Sequence, residues 1–329
     1  MAALRDLRRL ALACCKLYIS DSRNLKALET IEHAARGQSL APLLHVFNDT
    51  DYNRVGYTLA GSLPAQGLYL AAGSQSYPSF PLRTTVTETV RAAIETIDLQ
   101  EHSGTHPRIG VVDHVTFHAL GSASLEEVAS LARTVAADIA SQFKVPTFLY
   151  GAAHSGGRPL DAVRRSLGYF RSNDQGKWVG SPELGISLVP DYGPSKANPR
   201  TGVVVVGATP WVMNYNVPIA STDLTIGKMI ARKVSQRGGG LPEVQAMALL
   251  HGDGCIEIAC NLLNVEKTDP TMVQDMVAEL AQAQGVVVRP GYLTGHSKED
   301  ILEYGLRRLL STISSREALS PNPYVRSSR

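Results

Sequence analysis

Four of the nine histidines fall within residues 101–120, EHSGTHPRIGVVDHVTFHAL. Imidazole titrates near neutrality, so a histidine held in a loop can take up and return a proton within one turnover. Gly104 and Pro107 bracket His106 in a turn-forming sequence. Ile109, Val111, Val112 and Val115 follow as a buried strand, so His106 and Arg108 stand where a loop enters a sheet. Three readings are open. The first is an ordinary loop imidazole bonded to backbone. The second is a metal site, because His102 and His106 are four apart, as are His114 and His118. Zinc needs three or four converging ligands, the pairs fall on a Gly/Pro loop and a strand, and no H-E-x-x-H is present, so no metal is expected. The third is general acid/base work by His106.

The elements that must position this segment can be read from periodicity and punctuation. Strands are expected over residues 10–20, 43–47, 55–61, 109–115, 145–151, 203–206, 211–217, 244–248, 256–263 and 286–288. Asn24 caps a helix through Ala35, with Leu25, Leu28, Ile31 and Ala35 on one face. Further helices are expected over 84–99, over 124–143 behind a Ser124/Glu127 capping box, from Asp269-Pro270 to Ala283, and over 298–310. Residues 62–81 read as a surface loop and 311–329 as a flexible tail.

At 329 residues, 44% hydrophobic and 19% charged, the chain can bury the cores of two domains. A net charge of +2 implies no general field for nucleic acid or membrane, and no apolar run reaches the ~18 residues of a membrane span. Cys14, Cys15, Cys255 and Cys260 lack C-x-x-C spacing and read as reduced core residues of an intracellular, cytoplasmic protein. Residues 1–11 read as a leader; Asp6 and the lack of a hydroxyl-rich stretch argue against a transit segment.

Gly104, His106, Pro107, Arg108, Ile109, Gly110 and Asp113 form G-x-H-P-R-[hydrophobic]-G-x-x-D. This resembles the active-site segment of the glutamate formiminotransferase domain of formiminotransferase-cyclodeaminase, whose general acid/base histidine falls on His106. Asn53, Arg54, Tyr57, Thr58 and Gly61 resemble the family's N-R-x-x-Y-T-[FL]-x-G. Residues 145–151 resemble V-P-V-Y-L-Y-G, Arg164 takes the arginine place of L-x-A-[IV]-R, and Asn216 and Asn261 match F-N-[IV] and T-N-L-L. Gly238, Gly239 and Gly240 resemble a flexible Gly-rich turn. Residues 190–202, PDYGPSKANPRTG, resemble the folate-carrying segment P-D-F-G-P-S-x-x-x-P-x-x-G.

The chain also departs from the family. Its first strand ends in P-N-F-S-E-G there and in Leu17, Tyr18, Ile19, Ser20, Asp21 and Ser22 here. L-L-D-V-D, whose aspartate assists the histidine, reads Leu43, Leu44, His45, Val46 and Phe47, and a Glu-Ala pair reads Ala152-Ala153. Asp49 or Asp51 could substitute for the lost acid. These departures place the chain in a divergent branch, near the formiminotransferase N-terminal-subdomain-containing proteins.

The resemblance implies an α+β fold of two ferredoxin-like sandwich subdomains with mostly antiparallel sheets, at 12–189 and 190–310. It implies transfer of a formimino group between 5-formiminotetrahydrofolate and L-glutamate, as in histidine degradation and one-carbon metabolism, with folate held between the subdomains. Tetrahydrofolate would be substrate and carrier, with no metal. Its binding residues would be Gly193, Pro194, Ser195, Lys196, Ala197, Asn198, Pro199, Arg200, Thr201 and Gly202. Partners would be folate and glutamate-type small molecules in a homodimer. The alternative is a folate-binding protein with weak or no catalysis.

Overall fold

The computed structural model describes residues 10–63, 80–171, 188–252 and 254–319. The leader expected ahead of residue 10, most of the loop expected over 62–81 and the last ten residues lie outside these. The chain builds the same β-α-β-β-α-β unit twice. In the first, β1 (Ala11–Ile19), α1 (Leu25–Ala35), β2 (Leu43–Asp49), β3 (Arg54–Ser62), α2 (Pro81–Thr96) and β4 (Val112–Gly121) give the antiparallel order β2-β3-β1-β4. Helix α3 (Leu125–Phe143), strand β5 (Thr147–Gly151), helix α4 (Leu160–Ser166) and strand β6 (Val204–Ala208) extend that sheet, with β6 and then β5 running parallel beyond β4. The second unit is β7 (Met213–Ile219), α5 (Leu224–Val234), β8 (Val244–His251), β9 (Cys255–Leu262), α6 (Pro270–Gln282) and β10 (Tyr292–Leu293), ordered β10-β7-β9-β8. Strand β6 therefore carries the first sheet past the 189/190 boundary expected from sequence. The last helix, α7 (Lys298–Leu319), returns to the first sheet through Ile301, Leu306 and Leu309.

Strand alternation gives each sheet two chemically different faces. On one face of the first sheet, Ala13, Cys15, Leu17, Ile19, Tyr57, Leu59, Val115 and Phe117 pack under α1–α3. On one face of the second, Val217, Ile219, Ile256, Ile258 and Leu262 pack under α5 and α6. The middle of the first sheet's other face turns toward the second sheet, with Lys16 bonded to Val212, Tyr18 to Asn214 and Tyr52 to Glu257. Helix starts follow the expected chemistry: Asn24 Oδ1 accepts from the Ala27 amide at 3.1 Å, and Ser124 and Glu127 close a capping box. All four cysteines are reduced and buried. No helix among the described residues is long and apolar enough to cross a membrane.

Three local expectations are corrected. Leu25, expected on the buried face of α1, is 76% exposed; Ala27 takes its place inside. Residues 286–288 form no strand, because only Val288 bridges Ile219, and the strand beside β7 is Tyr292–Leu293. The tail is helical through Leu319, since no glycine or proline interrupts the sequence after Gly305 until Pro321.

Candidate active site

His106 is placed by the strand that follows it. Asp113, fully buried in β4, accepts from the Ile109 amide at 2.9 Å and closes the turn that carries H-P-R. The other carboxylate oxygen takes Arg54 of β3 at 3.0 Å and Arg164 of α4 at 3.4 Å. Two of the motif arginines thus share one buried acid. Their guanidinium groups lie over aromatic rings, Arg54 over Tyr18 at 4.9 Å and Arg164 over Tyr169 at 4.3 Å.

His106 Nδ1 lies 2.7 Å from the Pro107 carbonyl oxygen. A carbonyl only accepts, so Nδ1 carries the proton and Nε2 the basic lone pair. The ring stands edge-on between Tyr52 at 5.3 Å and Tyr169 at 6.3 Å. Burial, and then the charge of Arg54, hold its pKa well below the ordinary value, so the imidazole is neutral at pH 7. Neither Asp49 nor Asp51 bonds to it. Asp49 accepts from the Tyr52 amide at 2.8 Å and meets His251 Nε2 at 2.9 Å. Phe47 lines a cleft between the sheets with Lys16, Tyr18, His45, Thr58 and Asn214. The backbone carbonyl of Pro107 therefore orients the ring.

The loop 193–202 meets the His106 segment at its far end. Gly202 has φ +67, and a Cβ there would lie 2.3 Å from the Ile109 carbonyl oxygen; a Cβ on Gly110 would lie 2.0 Å from that of Val203. Both glycines of the two motif blocks are thus required by one close backbone approach, and Gly110 bridges Gly202. Ala197 packs in the cluster that includes Ile109 and Tyr169. Ser195, Lys196, Asn198, Pro199 and Arg200 stay exposed, with Pro194 and Thr201 half-buried. Arg200 is tied to Asp98 at 2.8 Å.

Of the histidine pairs considered for metal, His102 Nε2 lies 3.1 Å from the Asn53 carbonyl, and His102 Nδ1 and His118 Nε2 are buried without a partner among the described residues. His114 Nε2 meets the Tyr150 hydroxyl at 2.7 Å, and His118 Nδ1 donates to the Thr209 and Pro210 carbonyls at 3.1 and 3.0 Å. Asp49, Asp51 and His251 are the three residues, among those described, whose atoms cluster closely enough for an ion. Asp49 meets His251 Nε2 at 2.9 Å as a hydrogen bond, and Asp51 lies at 3.7 Å from the same nitrogen.

The sheets are clasped beside His106. Glu257 of β9 is 1% exposed and accepts from Tyr52 at 2.5 Å, Asn216 at 2.8 Å and Tyr292 at 2.7 Å. His251 of β8 packs on Tyr52 at 4.9 Å. Glu257 and Lys16 were legible as lone charges in apolar strands, CIEIACNL and ALACCKLYI, but only the fold shows that both turn inward.

The clasp has a pH signature. The hydrogen bond to Asp49 raises the His251 pKa, with burial opposing and Glu257 and Asp51 assisting. A raised folded value means that this stability is fully present below the unfolded value near ~6.5 and is lost as pH rises through the folded one. His251 is partly exposed, so screening limits the effect to about 0.5–1 kcal/mol. The melting gap between wild type and His251→Gln should be widest near pH 6 and close toward pH 9. A gap that widens with pH would contradict the pairing.

Residues 12–209 match the family described as the formiminotransferase domain, N-terminal subdomain. A formiminotransferase cyclodeaminase-like protein of Arabidopsis thaliana is 47% identical over 294 residues, covering 89% of this chain and 95% of that one. A glutamate formimidoyltransferase of Streptococcus pyogenes serotype M1 is 27% identical, covering 89% and 92%. The formimidoyltransferase-cyclodeaminase of Gallus gallus is 28% identical, over 85% of this chain but 49% of that protein.

Proposed function

Since the chain belongs to the formiminotransferase family, through its N-terminal subdomain, we propose that it moves a formimino group between 5-formiminotetrahydrofolate and L-glutamate, with folate held between the two sheets. The observation that carries this is the His106 ring, fixed with Nδ1 protonated and Nε2 basic beside the seam where Tyr52 meets Glu257. In the direction from N-formimino-L-glutamate, N5 of tetrahydrofolate attacks the formimino carbon and His106 Nε2 takes the N5 proton. The tetrahedral carbon then expels the glutamate nitrogen, which receives the proton back from Nε2 as the C–N bond breaks. One proton is borrowed and returned, and no oxidant is needed. A weakly basic imidazole is a strong acid once protonated, so burial favours the second step. Gly193, Pro194, Ser195, Lys196, Ala197, Asn198, Pro199, Arg200, Thr201 and Gly202 hold the folate, the loop being anchored to the His106 segment at Gly110.

One observation favours a second reading, a folate-binding protein with weak or no turnover. The Pro107 carbonyl fixes the tautomer, but it is a neutral partner and stabilises an imidazolium less than a carboxylate does. Calorimetric titration with folinate beside turnover of N-formimino-L-glutamate separates the two. Binding with turnover supports transfer, binding alone selects the second reading, and binding of neither compound rejects both.

A further inference from the structure

Three carboxylates converge on one imidazole where the two sheets meet. His251 Nε2, at the end of β8, lies 2.9 Å from Asp49 Oδ2 at the end of β2 and 3.7 Å from Asp51 Oδ2 in the loop that follows. Its other nitrogen, Nδ1, lies 3.6 Å from Glu257 Oε1 of β9. Among the described residues, His251 is the sole basic side chain within ion-pair distance of these three acids. Arg23 reaches the same loop through the Thr50 and Asp51 main-chain carbonyls, at 2.8 and 3.5 Å, and not through a carboxylate. A neutral imidazole carries one N–H, so only one of its nitrogens can face an acceptor. Here both face carboxylate oxygen. The Nε2 side therefore calls for a cation, which is either a proton or a metal ion in its place. A proton serves Asp49 and leaves Asp51 beyond hydrogen-bond reach; an ion serves all three donors.

The geometry fits a small ion. Donor atoms around a tetrahedral zinc stand roughly 3.3–3.6 Å apart, and the two separations from Nε2 bracket that range. All three donor atoms lie within 4.8 Å of one another. One imidazole nitrogen with two carboxylates suits zinc or cobalt, whereas magnesium and calcium prefer oxygen alone. The supports outside the donors are also in place. The Tyr52 amide holds Asp49 Oδ1 at 2.8 Å. Glu257 faces Nδ1, the carboxylate–histidine arrangement that leaves Nε2 to ligate, and is itself held by Tyr52, Asn216 and Tyr292. The Asp51 side chain is half-exposed, which gives an ion a way in and water a place as fourth ligand.

We propose that Asp49, Asp51 and His251 form a structural site for a divalent cation of the zinc class, which ties β2 to β8. The donors come from both sheets, so the ion locks the seam between them. Through Asp49 it also steadies Tyr52, whose ring stands edge-on to His106 at 5.3 Å. In the ion-free protein the His251 proton holds the same place.

The test is calorimetric titration of the whole chain, stripped with EDTA and dialysed, with zinc chloride and separately with magnesium chloride, as wild type, Asp51→Asn and His251→Gln. Wild type should bind one zinc per chain, and magnesium at least about a hundredfold more weakly. Each substitution should weaken zinc by about tenfold or more. Zinc at about a hundredfold excess over its Kd should raise the wild-type melting temperature by about 5–10 °C, and should raise that of either variant far less. Cobalt in place of zinc should give the visible absorption of a four-coordinate ion in wild type and lose it in His251→Gln. Asp51→Asn removes a half-exposed carboxylate that, among the described residues, holds no backbone amide, so it judges the site even where His251→Gln does not fold. Wild type that binds no zinc, or that binds magnesium as tightly, overturns the site. One zinc per chain held equally well by both variants overturns it too, because the ion then sits on other residues.

Discussion

Asp113→Asn should lower the melting temperature by roughly 10 °C and abolish activity at the temperatures where the variant still folds. The carboxylate is fully buried and is the shared partner of Arg54 and Arg164. An amide leaves two buried guanidinium groups with no counter-charge, and removing one side of a buried pair costs about 3–5 kcal/mol. In domains of this size each kcal/mol is worth about 2–4 °C. The same side chain holds the Ile109 amide at 2.9 Å, so the turn carrying His106 loosens too. Asp113→Glu keeps the charge and should lose less. A thermal melt by circular dichroism decides: an Asp113→Asn midpoint within about 2 °C of wild type would show that the arginines do not depend on this acid.

The architecture was legible because local signals agreed with the global pattern. Asn24, Ser124 with Glu127, and Asp269 with Pro270 each cap the helix they announced. The motif residues around His106 and Gly202 could be matched by spacing, and their meeting at Gly110 gives that spacing a physical reason. What sequence could not supply was pairing across long separations. Asp49 reads as a plausible partner for His106, yet it turns to His251 in the other sheet. Strand β6 reads as the start of the second unit, yet five valine-rich residues fit the interior parallel place between β4 and β5, where both faces are covered. Lys16 reads as a break in an apolar strand, and only the facing sheet shows what it confronts.

His106→Ala should lower the transfer rate about 10²–10⁴-fold, the usual worth of a positioned general acid/base group. Folinate affinity should stay within about tenfold, roughly 1.4 kcal/mol, because the imidazole hydrogen-bonds its own loop and not the loop 193–202. The wild-type pH profile gives a second check. Burial and Arg54 hold the His106 pKa well below its ordinary value, so the base is unprotonated across the neutral range. The rate should therefore show no acid limb near pH 6.5, and any fall from protonation of His106 should come at lower pH. His106→Ala with wild-type turnover would assign the proton transfer elsewhere. An acid limb near pH 6.5 that disappears in this variant would contradict the buried, neutral imidazole.

Formimino transfer through His106 has a direct kinetic test. The most direct measurement is single-turnover mixing of excess wild-type protein with N-formimino-L-glutamate and tetrahydrofolate, quenched over time and analysed for 5-formiminotetrahydrofolate and glutamate. Both products should appear together, in equal amounts and at one rate, and His106→Ala should slow both alike while still binding folinate. Wild-type protein that binds folinate but forms neither product, or a His106→Ala variant that forms them at the wild-type rate, would contradict it.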